Sequence, residues 1–433
     1  MKTTTMMMLM LATAMTTAPA ALTTDDVVTW NARTLTVIAT NGQNGIVQTR
    51  SLAMVHAAIH DALNAIQPRY GRYLFQDSVP NDTSADAAIA SAAYHVLAAL
   101  IPAYGSPAQR AAATAQLDAF YSSSLAAIPD TPSKTAGITV GTSAAGAILD
   151  ARLEDGASLA NTPYIPLDGP GFWQPTPNPV PADPLAGGVG FAPALLPRWG
   201  DVTPFILRTG AQFRPDGPPS LTSDQYTVDY NEVKAVGEQF SATRTAEQSE
   251  IARFWYEGSQ VGWNRIGQVV ATDRGLDLWE QGRLFALLNF AMADGFIAGF
   301  NAKYEYDFWR PVTAIRAGDT DGNPSTEADP SWSTYLNTPA IPDHPSTHSV
   351  LGAAAAEVLG RFFADDHIAF TTTSGAPFAG ITRSFTSFTQ AAHENADSRV
   401  FAGLHFRTAC RDGLWLGGRI GLFAFRHYLQ PDR

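Results

Sequence analysis

Three short segments of the 433-residue chain carry residue types and spacings suited to gripping a tetrahedral or trigonal-bipyramidal oxyanion. They are Lys303-Tyr-Glu-Tyr-Asp-Phe-Trp-Arg310-Pro311, Pro345-Ser346-Thr347-His348 and Ser398-Arg399-Val-Phe-Ala-Gly-Leu-His405. Lysine is scarce, with Lys2, Lys134 and Lys234 the others, so Lys303 shortly before Arg310 stands out. On a helix the two positions lie two turns apart on one face, about 10 Å along the axis, and both side chains reach an anion between them. Pro311 disfavours helix at Arg310, which predicts that the helix stops there. In the second segment Pro345 is expected in the first turn of a helix. The Ser346 and Thr347 N–H groups then lie free at a helix N-terminus, an anion site, with the Ser346 hydroxyl and His348 beside them. Arg399 offers a planar fork for bidentate contact, its side chain curling back to the face that carries His405 two turns beyond Ser398. In this company His348 and His405 read as acid–base and ligand groups.

The three segments resemble the signature shared by vanadium-dependent haloperoxidases and the type 2 phosphatidic acid phosphatase superfamily: K-x6-RP, PSGH and SR-x5-H-x3-D. The aromatic–acidic interior and Phe-Trp-Arg-Pro ending of the first segment are most similar to the haloperoxidase version. The Trp30–Asn64 region, with Met54-Val-His-Ala-Ala-Ile-His60-Asp61-Ala, also resembles bacterial members of that group. Two positions depart from the pattern. Thr347 stands at the PSGH glycine, replacing a permissive residue by a stiff β-branched one. Ala409 stands at the final aspartate, a carboxylate that would hold the His405 ring; Thr408 or a backbone carbonyl is the expected replacement, and Asp412 is too far along.

The resemblance implies two chemistries for one cage. In the first, orthovanadate is held by Lys303, Arg310, Ser346, Thr347 and Arg399 and is ligated by His405. Hydrogen peroxide then oxidises halide to hypohalous acid for an organic acceptor, with His348 moving protons and Lys303 polarising the bound peroxide. Bromide is expected before chloride. In the second, phosphate occupies the same cage, and the chain is a soluble acid phosphatase working through a phosphohistidine at His405. The third reading, raised by Ala409, is an inactive oxyanion-binding bundle.

The elements that must position these groups are helical. Leu52, Val55, Ala58, Ile59 and Leu63 recur at helical intervals. Residues 86–100, 108–125, 134–153, 224–240, 246–255, 279–308, 349–363, 385–396 and 398–428 read the same way. Residues 160–222 are instead crowded with Pro, Gly and aromatics and predict an irregular connection packed over the helices as a lid or wall. The expectation is mainly α: two packed helical bundles, 21–159 and 223–433, joined by 160–222, with the oxyanion site in the C-terminal bundle. His56 and His60 share a helical face, but without a HExxH glutamate or an identifiable third ligand they read as buried structural residues. Asp319-Thr-Asp321-Gly-Asn323 reads as a tight turn, since its spacing is not that of a calcium loop. His344 suits either a pocket wall or a turn cap, and Glu305 and Asp307 are expected to pair with Arg310 or Arg316.

Net charge of −12 argues against nucleic acid or anionic membranes as partners. Cys410, the one cysteine, excludes an intrachain disulfide. Lys2, the apolar run Met6–Met15 and Ala18-Pro-Ala20 resemble a signal peptide over residues 1–20, which implies a secreted or periplasmic protein; without that leader the chain would be cytoplasmic. No other segment offers the ~20 uninterrupted apolar residues of a membrane span. A homo-oligomer is compatible with all of this.

Overall fold

Polar caps set where the helices begin in the computed structural model, which describes residues 26–176 and 193–432. The N-terminal half comprises α1 (Val27–Thr40), α2 (Gly45–Ile66), α3 (Ala85–Leu100), α4 (Pro107–Ala126) and α5 (Pro132–Ala151). Asp26, Asn44, Ser84, Ser106 and Thr131 cap them in that order, each side chain accepting from a first-turn N–H. Next come α6 (Asp224–Val236), α7 (Ala246–Phe254), α8 (Ser259–Asp273), α9 (Leu278–Tyr306) and the short α10 (Pro311–Arg316). The chain closes with α11 (Thr347–Phe362), a hairpin of β1 (Phe370–Thr373) and β2 (Thr382–Phe385), α12 (Phe388–Phe401) and α13 (Arg407–His427). The mainly α expectation holds. The antiparallel hairpin and α8 were not anticipated.

Helices α2 and α9 are buried almost all round, as central helices must be. α9 packs on α2 on one side and α11 on the other, so one continuous apolar core runs through both halves. α9 also has the length and composition of a membrane span, but 94% of that window is buried inside the protein; α3 with its following turn, 61% buried, passes the same test. α13 lies against α11 through Gly413, Gly417 and Gly421. A Cβ on Gly417 would stand 2.0 Å from the Val350 carbonyl oxygen, so only glycine permits that approach.

The irregular connection packs as a wall in its described part. Asp294, buried in the middle of α9, accepts from the N–H groups of Phe205, Ile206 and Leu207 at 2.7–2.8 Å. Further on, Trp173 N–H donates to Asp307 O at 2.7 Å and Trp309 N–H to Gly171 O at 2.9 Å, which fastens the connection to the first motif. Residues 1–20, expected to be a leader, and the stretch 177–192 lie outside the described residues.

His56 and His60 are buried. Asn31 lies 2.7 Å from His56 Nε2, and His60 Nδ1 is 3.2 Å from Asp61. No cluster of metal-ligating side chains occurs among the described residues. Asp321 caps the Asn323 N–H and accepts from Thr326, a turn as read.

Candidate active site

Lys303 sits in the last turn of α9, and that helix ends sooner than its apolar pattern suggests. Asp307 takes a left-handed conformation (φ 47°) as C-cap, so the chain leaves the helix before Phe308. Arg310 is therefore extended, the N-cap of α10, with Pro311 at the first helical position of that next element. Lys303 and Arg310 do not share a helical face as expected; a helix end and an extended strand of chain bring them together instead. Both are fully buried.

The two side chains hold the loop before the second motif. Lys303 Nζ donates to the carbonyls of Pro342 (2.6 Å) and Asp343 (2.8 Å), and Arg310 Nε to that of Ile341 (2.8 Å). The Asp343 N–H closes the clamp on Phe308 O at 2.8 Å. Lys303 thus commits two of its three donors to backbone and keeps one. Glu305 and Asp307 touch neither Arg310 nor Arg316: Glu305 pairs with Arg214 at 2.8 Å, while Asp307 lies near Tyr164 and the Leu167 N–H with no in-line hydrogen bond to either. Arg316 binds Trp332 O and Ser333. The expected pairing is overturned because the helix ends between these residues.

Helix α11 begins at Thr347 with Ser346 as N-cap, two residues later than Pro345 implied, so the proline lies outside the first turn. The Ser346 N–H is not free, since it donates to Ala409 O at 2.9 Å, and its hydroxyl is 3.4 Å from the Ser349 N–H. Thr347 and His348 open the helix, where N–H groups have no intrahelical acceptor. Thr347 in place of glycine is accommodated by α9: its Cγ2 would lie 2.8 Å from a Cβ on Gly299, so the glycine on the neighbouring helix makes the room. His348 is half-buried, its Nε2 3.3 Å from Glu257 O. A carbonyl only accepts, so Nε2 carries the proton and Nδ1 is the open lone pair. His344 is buried 3.5 Å from Asp412 and edge-on to Tyr306, which makes it wall rather than cap.

The third motif is split. Ser398 and Arg399 end α12, and Gly403 (φ 80°) turns the chain so that His405 stands in the connection to α13 rather than on the helix of Ser398. That turn removes the need for Arg399 to curl back. Arg399 lies across the Tyr256 ring and reaches Trp255 O at 3.4 Å, leaving Nε without a partner. His405 Nε2 is 2.9 Å from Arg310 Nη1, and its Nδ1 is 2.9 Å from an oxygen of Asp343. Asp343, fully buried, is the site residue the motifs do not reveal. The one hint in the sequence was an acid two residues before Pro345 of the second motif.

Three buried cations now face one buried carboxylate. Lys303, Arg310, Arg399, His348 and His405 all lie close enough to perturb one another. Burial first, and the Arg310 charge second, push the Lys303 ammonium well below its ordinary range. Burial also lowers Arg310 and Arg399 to about 10. The His348 and His405 rings fall well below their usual values for the same reason, helped by the neighbouring cations, and are neutral. Burial raises Asp343 to about 7 against the pull of Arg310 and Lys303. Arg310 Nη2 and Arg399 Nε are buried donors without acceptors. An oxyanion of two or more charges fits this cage: it meets the orphaned donors and offsets the excess positive charge. A neutral His405, whose Nε2 lone pair is met in the cage by Arg310 Nη1, suits a metal-centred oxyanion in particular, which would take that lone pair and leave the guanidinium to the anion's oxygens.

Comparison with known proteins agrees with this geometry. Residues 19–186 match the vanadium chloroperoxidase N-terminal domain, and residues 283–431 match the second helical-bundle domain of the same enzyme family. The chain is 25% identical to vanadium chloroperoxidase of Curvularia inaequalis over 466 residues, covering 84% of this chain and 75% of that protein. In solved structures the same fold occurs in the first bacterial vanadium-dependent iodoperoxidase (TM-score 0.76, 24% identity, 93% of this chain and 97% of that one). It recurs in a bacterial vanadium-dependent chloroperoxidase in its apo form (TM-score 0.71, 20% identity, 88% and 93%). With both helical domains matched in order along one chain, this protein belongs to the vanadium-dependent haloperoxidase family.

Proposed function

We propose that this enzyme oxidises halide with hydrogen peroxide to hypohalous acid, bromide in preference to chloride, with vanadate in the cage and an organic acceptor downstream. The observation that carries the reading is the imbalance of buried charge around a neutral His405: Lys303, Arg310 and Arg399 against Asp343. Bound vanadate supplies Lewis-acid activation of peroxide at a constant oxidation state. The residues do the rest. His405 offers Nε2 as ligand, and the two buried arginines and Lys303 neutralise oxyanion charge. The Thr347 N–H adds a donor at the start of α11. His348, whose open Nδ1 and partial exposure suit exchange with solvent, accepts and returns the peroxide protons. Bromide is favoured because it is the easier of the two halides to oxidise, and Ile341, buried at the loop held by Arg310, gives that wall an apolar side chain. We place the enzyme outside the cytoplasm, on the strength of the leader-like residues 1–20.

The His405 lone pair would also attack phosphorus, so the test has two arms. Protein dialysed free of phosphate should gain bromide-dependent peroxidation on addition of orthovanadate, and added phosphate should compete it away. Efficient hydrolysis of an aryl phosphate, inhibited by vanadate and without peroxide-dependent halogenation, would replace this reading by the phosphatase one.

A further inference from the structure

The motif carboxylate that should hold the His405 ring is missing at Ala409, and none of the nearby substitutes suggested by the sequence takes its place. The Thr408 hydroxyl is used by Arg411 at 3.5 Å, and the Thr408 N–H by Asp229 at 2.8 Å. Asp412 sits with His344 and Arg411. The Ala409 carbonyl accepts from the Ser346 N–H. The carboxylate that does reach the ring is Asp343, 2.9 Å from Nδ1.

Two further observations give that contact a direction. Arg310 Nη1 stands 2.9 Å from His405 Nε2 and 3.4 Å from Nδ1. A guanidinium only donates, so the nearer nitrogen, Nε2, holds the lone pair and Nδ1 carries the proton. That proton sits on the side of Asp343, whose two oxygens are buried with no in-line hydrogen bond and only the Phe406 N–H close by, so they have acceptor capacity to offer. Asp343 is also held in place. Its N–H binds Phe308 O and its carbonyl accepts from Lys303, so the backbone on either side of its Cα is anchored to the first motif.

We propose that Asp343 is the positioning residue for His405: the carboxylate has moved from the third motif to the loop preceding the second, and it fixes the ring with Nε2 facing the oxyanion. The inference rests on the haloperoxidase reading for the role of His405 as ligand. A ring held this way favours an anion that bonds to nitrogen over one held by charge alone. Vanadate is the first kind and phosphate the second. The selectivity between them therefore separates a positioning role from a merely structural one, because loss of structure weakens both.

Calorimetry with orthovanadate and with phosphate tests this on the full chain. Asp343→Asn should lower vanadate affinity by about 10- to 100-fold. Phosphate affinity should hold or rise, since a negative charge beside the anion is gone. Asp343→Ala combined with Ala409→Asp should restore the vanadate-to-phosphate ratio to within about threefold of the wild type, because the carboxylate is back at its motif position. Equal loss for both anions, or an unchanged ratio in Asp343→Asn, overturns the proposal. His405→Ala is the control: if it lowers the ratio while Asp343→Asn does not, the Asp343 assignment alone is wrong. If His405→Ala leaves the ratio untouched, the ligand assignment falls and this inference with it. Should Asp343→Asn fail to fold, Ala409→Asp alone decides. With Asp343 already on the ring it should add no selectivity, and a tenfold gain would show that Asp343 does not do this work. Nitrogen-15 labelling of histidine gives an independent reading: His405 should show the Nδ1–H tautomer in the wild type and mixed tautomers in Asp343→Asn.

Discussion

Gly299→Ala is the substitution that most directly probes how α9 sets the second motif. The new Cβ would stand 2.8 Å from Thr347 Cγ2, closer than carbon atoms settle, while the next neighbour, Thr347 Cβ, is at an ordinary 4.0 Å. Thr347 is buried and β-branched on the first turn of α11, so its methyl cannot swing away without leaving its rotamer. Overpacking of this kind costs about 1–3 kcal/mol. Replacing glycine by alanine inside a helix returns about 1 kcal/mol. The single variant should therefore be destabilised by roughly 0–2 kcal/mol. In a Thr347→Gly background the clash is gone, and the same change should stabilise by up to about 1 kcal/mol. The difference between the two backgrounds, about 1–3 kcal/mol, is the quantity to measure. Urea unfolding of the four proteins of the cycle supplies it, with unchanged m-values as the check on two-state behaviour. Phosphate affinity should fall in Gly299→Ala and recover in the double variant, because displacing Thr347 displaces its N–H. A coupling below about 0.5 kcal/mol would refute the claim that α9 makes room for the threonine.

Sulfate, whose charge is constant across the neutral range, should bind more weakly as pH rises. Burial raises the Asp343 carboxyl to about 7, so as pH rises it ionises and sets a negative charge beside the anion; sulfate binding near pH 7 should therefore draw a proton in, and calorimetry in buffers of different ionisation enthalpy should show net uptake. No proton uptake would mean that the Asp343 carboxyl does not change charge when the anion binds. His56 is lowered from 6.5 to about 3 by burial. The folded state therefore resists the proton that the unfolded chain takes, and stability present above pH 6.5 is lost as pH falls toward 3. The full span amounts to on the order of 5 kcal/mol, and His56→Gln should flatten the stability slope between pH 5 and 6 by about 1 kcal/mol per pH unit in urea titrations. Lys303→Arg should lose most bromide-dependent halogenation of a dye while orthovanadate still binds: a bulkier planar cation cannot keep both carbonyls of residues 342 and 343 and still offer a point donor. Retained halogenation would show that the lysine's shape is immaterial.

The sequence made the residue types of the cage legible because charge and hydrogen-bonding capacity belong to the side chain wherever the backbone runs. It was less informative about how they meet. Pro311 was read as the end of the Lys303 helix, yet it begins the next one, because Asp307 had already left the helix in a left-handed turn. Periodicity could not show this, since Phe308 and Trp309 are apolar and buried whether or not the helix continues. In the same way 398–428 looked like a single helix, although Gly403 breaks it and gives His405 its place outside. The hairpin of β1 and β2 went unseen because two strands of four residues carry too little alternation to register. The two departures from the family pattern belong to a different class. Thr347 is answered by Gly299, and Ala409 by Asp343, neither of them a motif position. Each answer depends on which backbone faces which across the packed helices, through α9 against α11 in one case and the loop 341–343 against the α12–α13 turn in the other. A motif read along the chain can therefore expose a missing group, but only the fold shows where a replacement has come from.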